Sequence, residues 1–184
     1  MAAVALMVVN FTCDLEYPEH ALLDPVHWPK ENPEANEVVY RLLERLNLHG
    51  VHAIFYVLGE VALRCPHMIQ LIHRDHRLGS HGFWHRHGER EGDPSDWLAR
   101  RYLPECMGYR SPFWDTTPRP GFIGGAYFRM LPYGLMKAEV ERTGTFAVHP
   151  HDFFPQSTGP LRRRFGTRAA WDRLDRLLTE VSFV

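Results

Sequence analysis

Excess charge, paired cysteines and long apolar runs are all scarce in this chain, and each scarcity removes a class of function. The 184 residues carry 21 basic and 22 acidic side chains, a formal net charge of −1. So even a balance gives no field to attract a polyanion, and neither nucleic acid nor an anionic membrane is expected as a partner. Only three cysteines occur, Cys13, Cys65 and Cys106, far apart and without a CxxC pair. That pattern excludes a disulfide framework and suits a reducing compartment, so a cytoplasmic location is expected. The apolar start, MAAVALMVVNF, lacks a basic n-region and an A-x-A site and is too short to span a bilayer, so no transmembrane segment is expected. Internal repeats and low-complexity tracts are missing as well. What remains is a chain of ordinary length for one domain, residues 1–184, with 45% apolar and 12% aromatic residues from which to build a core.

Within it, apolar patterning alternates between strand and helix. Residues 4–13 read as a buried strand ending at the carboxylates of DLE. Prolines 18, 25, 29 and 33 break residues 17–33 into a loop. Val38, Leu42, Leu43 and Leu46 recur at helical spacing over Glu34–Leu48, with Gly50 as the stop. A second strand, VHAIFYVLG, covers 51–59, a helix is expected over Glu60–His76, and RLGSHGF reads as a short strand running into a loop. Repeated strand–helix–strand units predict a parallel sheet with right-handed crossovers, an α/β fold. The second half is less regular. A short helix is expected over Asp96–Leu103, a strand or turn at GYRSPFW, a loop over Thr116–Pro132, a partial helix over Leu131–Arg142, a strand at GTFAVHPHDF and a terminal helix over Thr167–Leu178.

The chemistry-bearing residues fall at the expected strand ends, where parallel α/β folds gather their functional groups. Asp14 and Glu16 follow the first strand, His81 and His85 the third, Arg110 the GYRSP segment and His149 the last. Asp14 and Glu16 are two apart, so in a strand they share a face. They read either as a water-facing strand end or as a metal ligand beside a general base. His81 and His85 form H-x3-H, which on a helical turn presents two imidazoles to one divalent ion, and two histidines with a carboxylate are a familiar catalytic zinc set. The other reading is a His-rich surface loop. His87, two residues on, is expected in a supporting or surface role. Arg110 reads as a surface cation or as the partner that holds Asp14 ionised. His149 reads as a strand-end histidine or as a general acid for a departing amine. The run LRRRF, Leu161–Phe165, reads as a solvated face.

In their order along the chain, FTCDLE, AIFYVLG, GSHGFWHRH, GYRSPFW and FAVHPHDF resemble the polysaccharide deacetylases of the NodB-type carbohydrate esterase family. The segments from Tyr127 to Phe153 and from Arg162 to Leu174 look most like a subgroup associated with exopolysaccharide and O-antigen clusters. The resemblance implies a deformed (β/α) barrel and metal-dependent removal of an N-acetyl group from an amino sugar, with zinc the expected ion and cobalt or nickel as alternatives. It further implies Asp14 as general base, Glu16, His81 and His85 as metal ligands, Arg110 as the partner of the base, the Phe113 backbone N–H as oxyanion donor and His149 as general acid. Two departures accompany it. Leu15 stands where many members carry an aspartate, so Glu16 takes the ligand position. The stretch between Trp114 and the YFRMLP segment is short, so the barrel is expected to be incomplete and the acidic partner of His149 falls to Asp115 or Asp152. A catalytically impaired carbohydrate-binding protein on the same fold is the alternative that these departures raise.

Overall fold

The computed structural model describes residues 8–17, 20, 33–119, 121–153 and 169–183. Among them, five parallel strands form one sheet in the order β3-β2-β1-β5-β4: β1 Asn10–Leu15, β2 Ile54–Val57, β3 Arg77–Ser80, β4 Phe122–Ile123 and β5 Thr145–Val148. Cys13 of β1 sits between Phe55 of β2 and Val148 of β5, so the first strand is the middle of the sheet. From Phe11 to Leu15 every side chain of β1 is buried, which accounts for its near-continuous apolar character. A bridge from Ser80 to Tyr109 adds one more step beyond β3. The path from β4 through β5, β1, β2 and β3 to Tyr109 is therefore a barrel-type order, in which the last strand returns to the side of the first. Between Tyr109 and β4 no strand is paired among the described residues. The expected α/β barrel with missing units takes this form.

Helices cover the sheet where the sequence alternates. Helix α1, Pro33–Leu48, buries Ala35, Val38, Val39, Leu42, Leu43 and Leu46, the stripe that its periodicity predicts. The single helix expected over Glu60–His76 is two, α2 Gly59–Arg64 and α3 Pro66–Asp75, because Pro66 has no N–H to continue the ladder and starts a new first turn instead. Helix α4, Pro94–Arg100, begins two residues before the expected start, at a cap in which Asp93 Oδ1 accepts the Asp96 N–H at 2.8 Å. The stretch 116–132, read from its glycines and prolines as loop, contains β4 and a short helix, α5 Gly125–Met130. Packing of Phe122 and Phe128 on the buried Phe146 of β5 overrides the local breakers there. Helix α6, Tyr133–Thr143, ends on Gly144 at φ +67°, the left-handed stop that delivers the chain into β5.

The terminal helix α7 covers Ala170–Glu180. The first strand starts at Asn10 and runs to Leu15, later than expected, so Asp14 lies inside it rather than beyond it. The second and last strands are shorter than their apolar runs suggest. Residues 4–7, most of the proline-rich loop, the LRRRF run and the first residues of the expected terminal helix lie outside the described residues. No helix among the described residues is long and apolar enough to cross a membrane.

Candidate active site

At the C-terminal ends of the strands a cavity of about 190 Å³ is lined by Asp14, Glu16, His81, His85, Phe113, Trp114, His149 and His151. Six of these eight were singled out from the sequence. Each wall of the cavity has a local cause.

Asp14 is held by the central strand. Just past it the Glu16 N–H donates to the Asp14 carbonyl at 3.1 Å, a tight turn that follows the end of β1. Both carboxylates line the same cavity, Asp14 fully buried and Glu16 nearly so. Arg110 Nη1 donates to Asp14 Oδ1 at 2.5 Å and to Thr12 Oγ1 at 3.1 Å. The guanidinium carbon lies 3.9 Å from the centroid of Tyr56, a cation–π contact that shields the pair. Gly79, opposite Tyr56 in the β2–β3 register, leaves room for that ring: a Cβ there would meet Tyr56 Cδ1 at 2.6 Å. The Arg110 N–H donates to Ser80 O at 2.9 Å, which fixes the arginine at the edge of β3.

The two histidines of H-x3-H are not on a helical turn. His81–His85 is an irregular loop with Gly82 at φ +74° and His85 at φ +54°. Its ends are tied to the sheet: the His81 N–H donates to Val57 O at 3.0 Å, and Gly82 O accepts the Gly59 N–H at 2.8 Å. The left-handed residues bring back together what a helix would have placed on one face. His81 and His85 rings stand 5.4 Å apart, and one donor atom each from Glu16, His81 and His85 all lie within 4.8 Å of one another. His85 Nε2 contacts Glu16 Oε2, and His81 Nε2 is 3.6 Å from the same oxygen. His81 Nδ1 donates to the Arg110 carbonyl at 2.8 Å, which leaves its Nε2 as the lone pair facing Glu16. Burial opposes the charge on Glu16, but the charge and hydrogen bond of His85 outweigh it and hold the carboxyl well below its ordinary range. Burial likewise opposes protonation of His85, and Glu16 overrides it to raise the imidazole above its usual value. These three residues fit a divalent ion: two imidazoles and one carboxylate, converging, buried, with one imidazole already oriented by a backbone carbonyl.

Opposite this group is His149, just past β5. Its Nε2 is 3.9 Å from Asp14 Oδ2, and its Nδ1 is 3.6 Å from Asp152 Oδ2. Asp152 reaches it by the sequence HPHD: a 3-10 turn over Pro150–Asp152 folds the aspartate back, and its Oδ2 accepts the His149 N–H at 2.9 Å. Burial works against charge on the imidazole, but the Asp152 hydrogen bond and charge prevail and raise its pKa to about 9. The Asp152 carboxyl is itself buried, yet His149 and His151 hold it far below the usual carboxylate range. Arg129 Nη1, 3.4 Å from Asp152 Oδ1, completes the cluster. Of the two acids that sequence offered as partner of His149, Asp152 is therefore the one in place. Asp115 instead accepts the Gly88 N–H at 2.7 Å and lies 3.3 Å from His87 Nδ1.

The remaining wall is a turn after Arg110. Ser111 Oγ accepts the N–H groups of Thr116 and Thr117, both at 3.1 Å, and draws the chain into a loop on which Phe113 and Trp114 both take left-handed φ, +57° and +52°. Two successive non-glycine residues in that region are strained, a cost tolerated mainly at functional sites. His87 stacks on the Phe113 ring at 4.0 Å and 18°, so the residue expected to be peripheral buttresses this turn. Sequence reasoning did not single out Trp114 or His151 as lining residues. The H-x-H spacing of His149 and His151 was the signal for the second, and Trp114 had none beyond its aromatic neighbours.

A family model described as polysaccharide deacetylase matches residues 28–98. No curated protein matches the chain. Among solved structures, an activity-restored mutant of a family 4 carbohydrate esterase pseudoenzyme of Bacillus anthracis aligns over 97% of this chain and 64% of its own, at 16% identity and TM-score 0.61. This chain thus spans less than two thirds of that protein. A family 4 carbohydrate esterase from Streptomyces lividans, in complex with acetate, aligns over 96% of this chain and 90% of its own, at 13% identity and TM-score 0.60. A peptidoglycan deacetylase of Bacillus subtilis aligns over 97% and 86%, at 14% identity and TM-score 0.59. The fold is the (β/α)-barrel-like fold of these esterases.

Proposed function

We propose that the chain is a metal-dependent hydrolase that removes the acetyl group from an N-acetylated amino sugar. One observation carries the reading: a metal-ligand set, a carboxylate paired to arginine and a histidine paired to aspartate face one small cavity. Glu16, His81 and His85 would hold the ion. When bound, it supplies Lewis acidity, polarising an acyl oxygen and lowering the pKa of water at neutral pH.

The residues supply the rest. Asp14 Oδ2 faces the cavity, while Oδ1 is held by Arg110; the free oxygen accepts the proton of the attacking water. Arg110, buried beside it, keeps Asp14 aimed. The Phe113 N–H, on its strained turn, donates to the developing oxyanion, an interaction worth about 3–4 kcal/mol in comparable sites. His149, kept protonated by Asp152, gives its proton to the departing amine. Phe113 and Trp114 supply the apolar wall against which the acetyl methyl would pack.

The whole chain acts as one deacetylase-like domain in this reading. The likeness of its C-terminal segments to the exopolysaccharide and O-antigen subgroup supports a role in surface polysaccharide synthesis, in the cytoplasm, with zinc as the ion. A second reading, a sugar-binding protein without activity, is favoured by Leu15 and by the pseudoenzyme among the structural neighbours. The test is bound-metal analysis together with acetate release from N-acetylated oligosaccharides. Acetate release that Asp14→Asn cuts by about 10²–10⁴ while metal stays bound supports the enzyme. Metal and sugar binding without acetate from any amide supports the binding protein.

A further inference from the structure

The metal set of the cavity is not its only one. His149, His151 and Asp152 also place one donor atom each within 4.8 Å of one another. His149 and His151 both line the cavity, their rings stacked at 4.8 Å and 20°. Asp152 is fully buried beneath them. Two imidazoles and a carboxylate are the donors zinc prefers, and the 3-10 turn over Pro150–Asp152 holds all three within four residues.

We propose that His149, His151 and Asp152 form a second divalent-cation site, whose occupation by excess zinc switches off His149 as a proton donor. The exclusion is chemical. His149 meets Asp152 through Nδ1, so an ion of this set displaces the Nδ1 proton of the imidazolium to solvent and leaves a neutral, metal-bound imidazole whose Nε2–H is too weak an acid to protonate an amine. The order of filling follows from charge. Arg129 Nη1 lies 3.4 Å from Asp152 Oδ1 and already offsets its carboxylate, whereas Glu16 faces two histidines and no arginine is paired with it among the described residues. The Glu16 set therefore fills first and the His149 set only at higher metal concentration. The regulatory half of the proposal rests on the reading of His149 as general acid; the ion site itself does not.

The two halves are tested separately. Zinc is titrated calorimetrically into Glu16→Ala, in which the first set is broken, and into Glu16→Ala/His151→Ala. One weaker ion retained by the single variant and lost from the double supports the site; no ion in Glu16→Ala overturns it. Should Glu16→Ala fail a circular-dichroism check of folding, the count is made on the wild type against His151→Gln. Two ions falling to one supports the site, and one ion in both overturns it. For the regulatory half, acetate release is followed against zinc beyond one equivalent. Inhibition in the wild type should move in His151→Gln to higher zinc by at least the roughly tenfold that loss of even an outer partner costs a metal site. Inhibition unchanged in His151→Gln overturns it. Acetate release absent at every zinc level counts against the deacetylase reading and leaves the ion count to decide the site.

Discussion

Replacing Arg110 with alanine should destabilise the protein far more than a surface arginine would, and removing Asp14 as well should restore part of the loss. Arg110 is 7% exposed and Asp14 is fully buried. Taking away the guanidinium strands a carboxylate whose Oδ1 has no other cation against it among the described residues, with His149 still 3.9 Å from Oδ2. Breaking a buried pair in this way costs about 3–5 kcal/mol. The lost cation–π contact with Tyr56 and the lost hydrogen bond to Thr12 add roughly 1–3 kcal/mol. Asp14→Asn in the Arg110→Ala background removes the stranded charge and leaves only these smaller losses, so the double variant should be more stable than the single by about 3–5 kcal/mol. Urea unfolding of the metal-free wild type, both single variants and the double gives the coupling directly. For a chain of this length the Arg110→Ala loss corresponds to a fall in Tm of about 8–30 °C. If the double variant is no more stable than Arg110→Ala, the charge on Asp14 is not what Arg110 compensates, and the argument for an aimed, ionised base fails with it.

Three further perturbations have defined outcomes. His149 holds its proton up to about 9 against an ordinary 6.5. Its ion pair therefore contributes fully below about pH 6.5 and fades as the pH climbs through about 9, so Tm of the metal-free protein should fall across that window and His149→Gln should flatten the fall. Gly59→Ala should cost about 1–3 kcal/mol despite alanine's better helix propensity, because its Cβ would meet Phe83 Cδ2 at 2.5 Å and the Ala99 backbone at 2.6 Å; denaturant unfolding showing stabilisation would refute that packing. His85→Ala should lower zinc affinity by well over the roughly tenfold to hundredfold effect of an outer-shell change, read by competition with a chelating dye, while Asp115→Ala should leave that affinity within a few-fold.

Much of this architecture was readable before any coordinates, and the exceptions have physical reasons. Strand and helix order in the first half follows from apolar periodicity, but periodicity alone joined α2 and α3 into one helix although Pro66 stands at the break. Helix α5 was hidden because Gly124, Gly125 and Pro120 weigh locally against helix, while the decisive contacts of Phe128 are with Phe146 and Phe153, distant in sequence. The H-x3-H spacing led to the same pair of residues through the wrong conformation: left-handed φ at Gly82 and His85, not a helical turn, aims the rings. The choice between Asp115 and Asp152 depended on a three-residue turn and a Gly88 amide, neither of which spacing reveals. The buttress of Arg110 by Tyr56, made across two strands through a glycine gap, left no trace in the local pattern.

The placement of Asp14 inside the central strand also sets a timescale. Its neighbours Cys13 and Leu15 are paired to Phe55 and Val57 of β2, and Cys13 to Val148 of β5 as well. Amide hydrogens so enclosed exchange with solvent only when the sheet as a whole comes apart. The aspartate is then stationary for as long as the sheet holds, so any rearrangement of the cavity has to come from its other walls, the loops that carry His85 and Phe113.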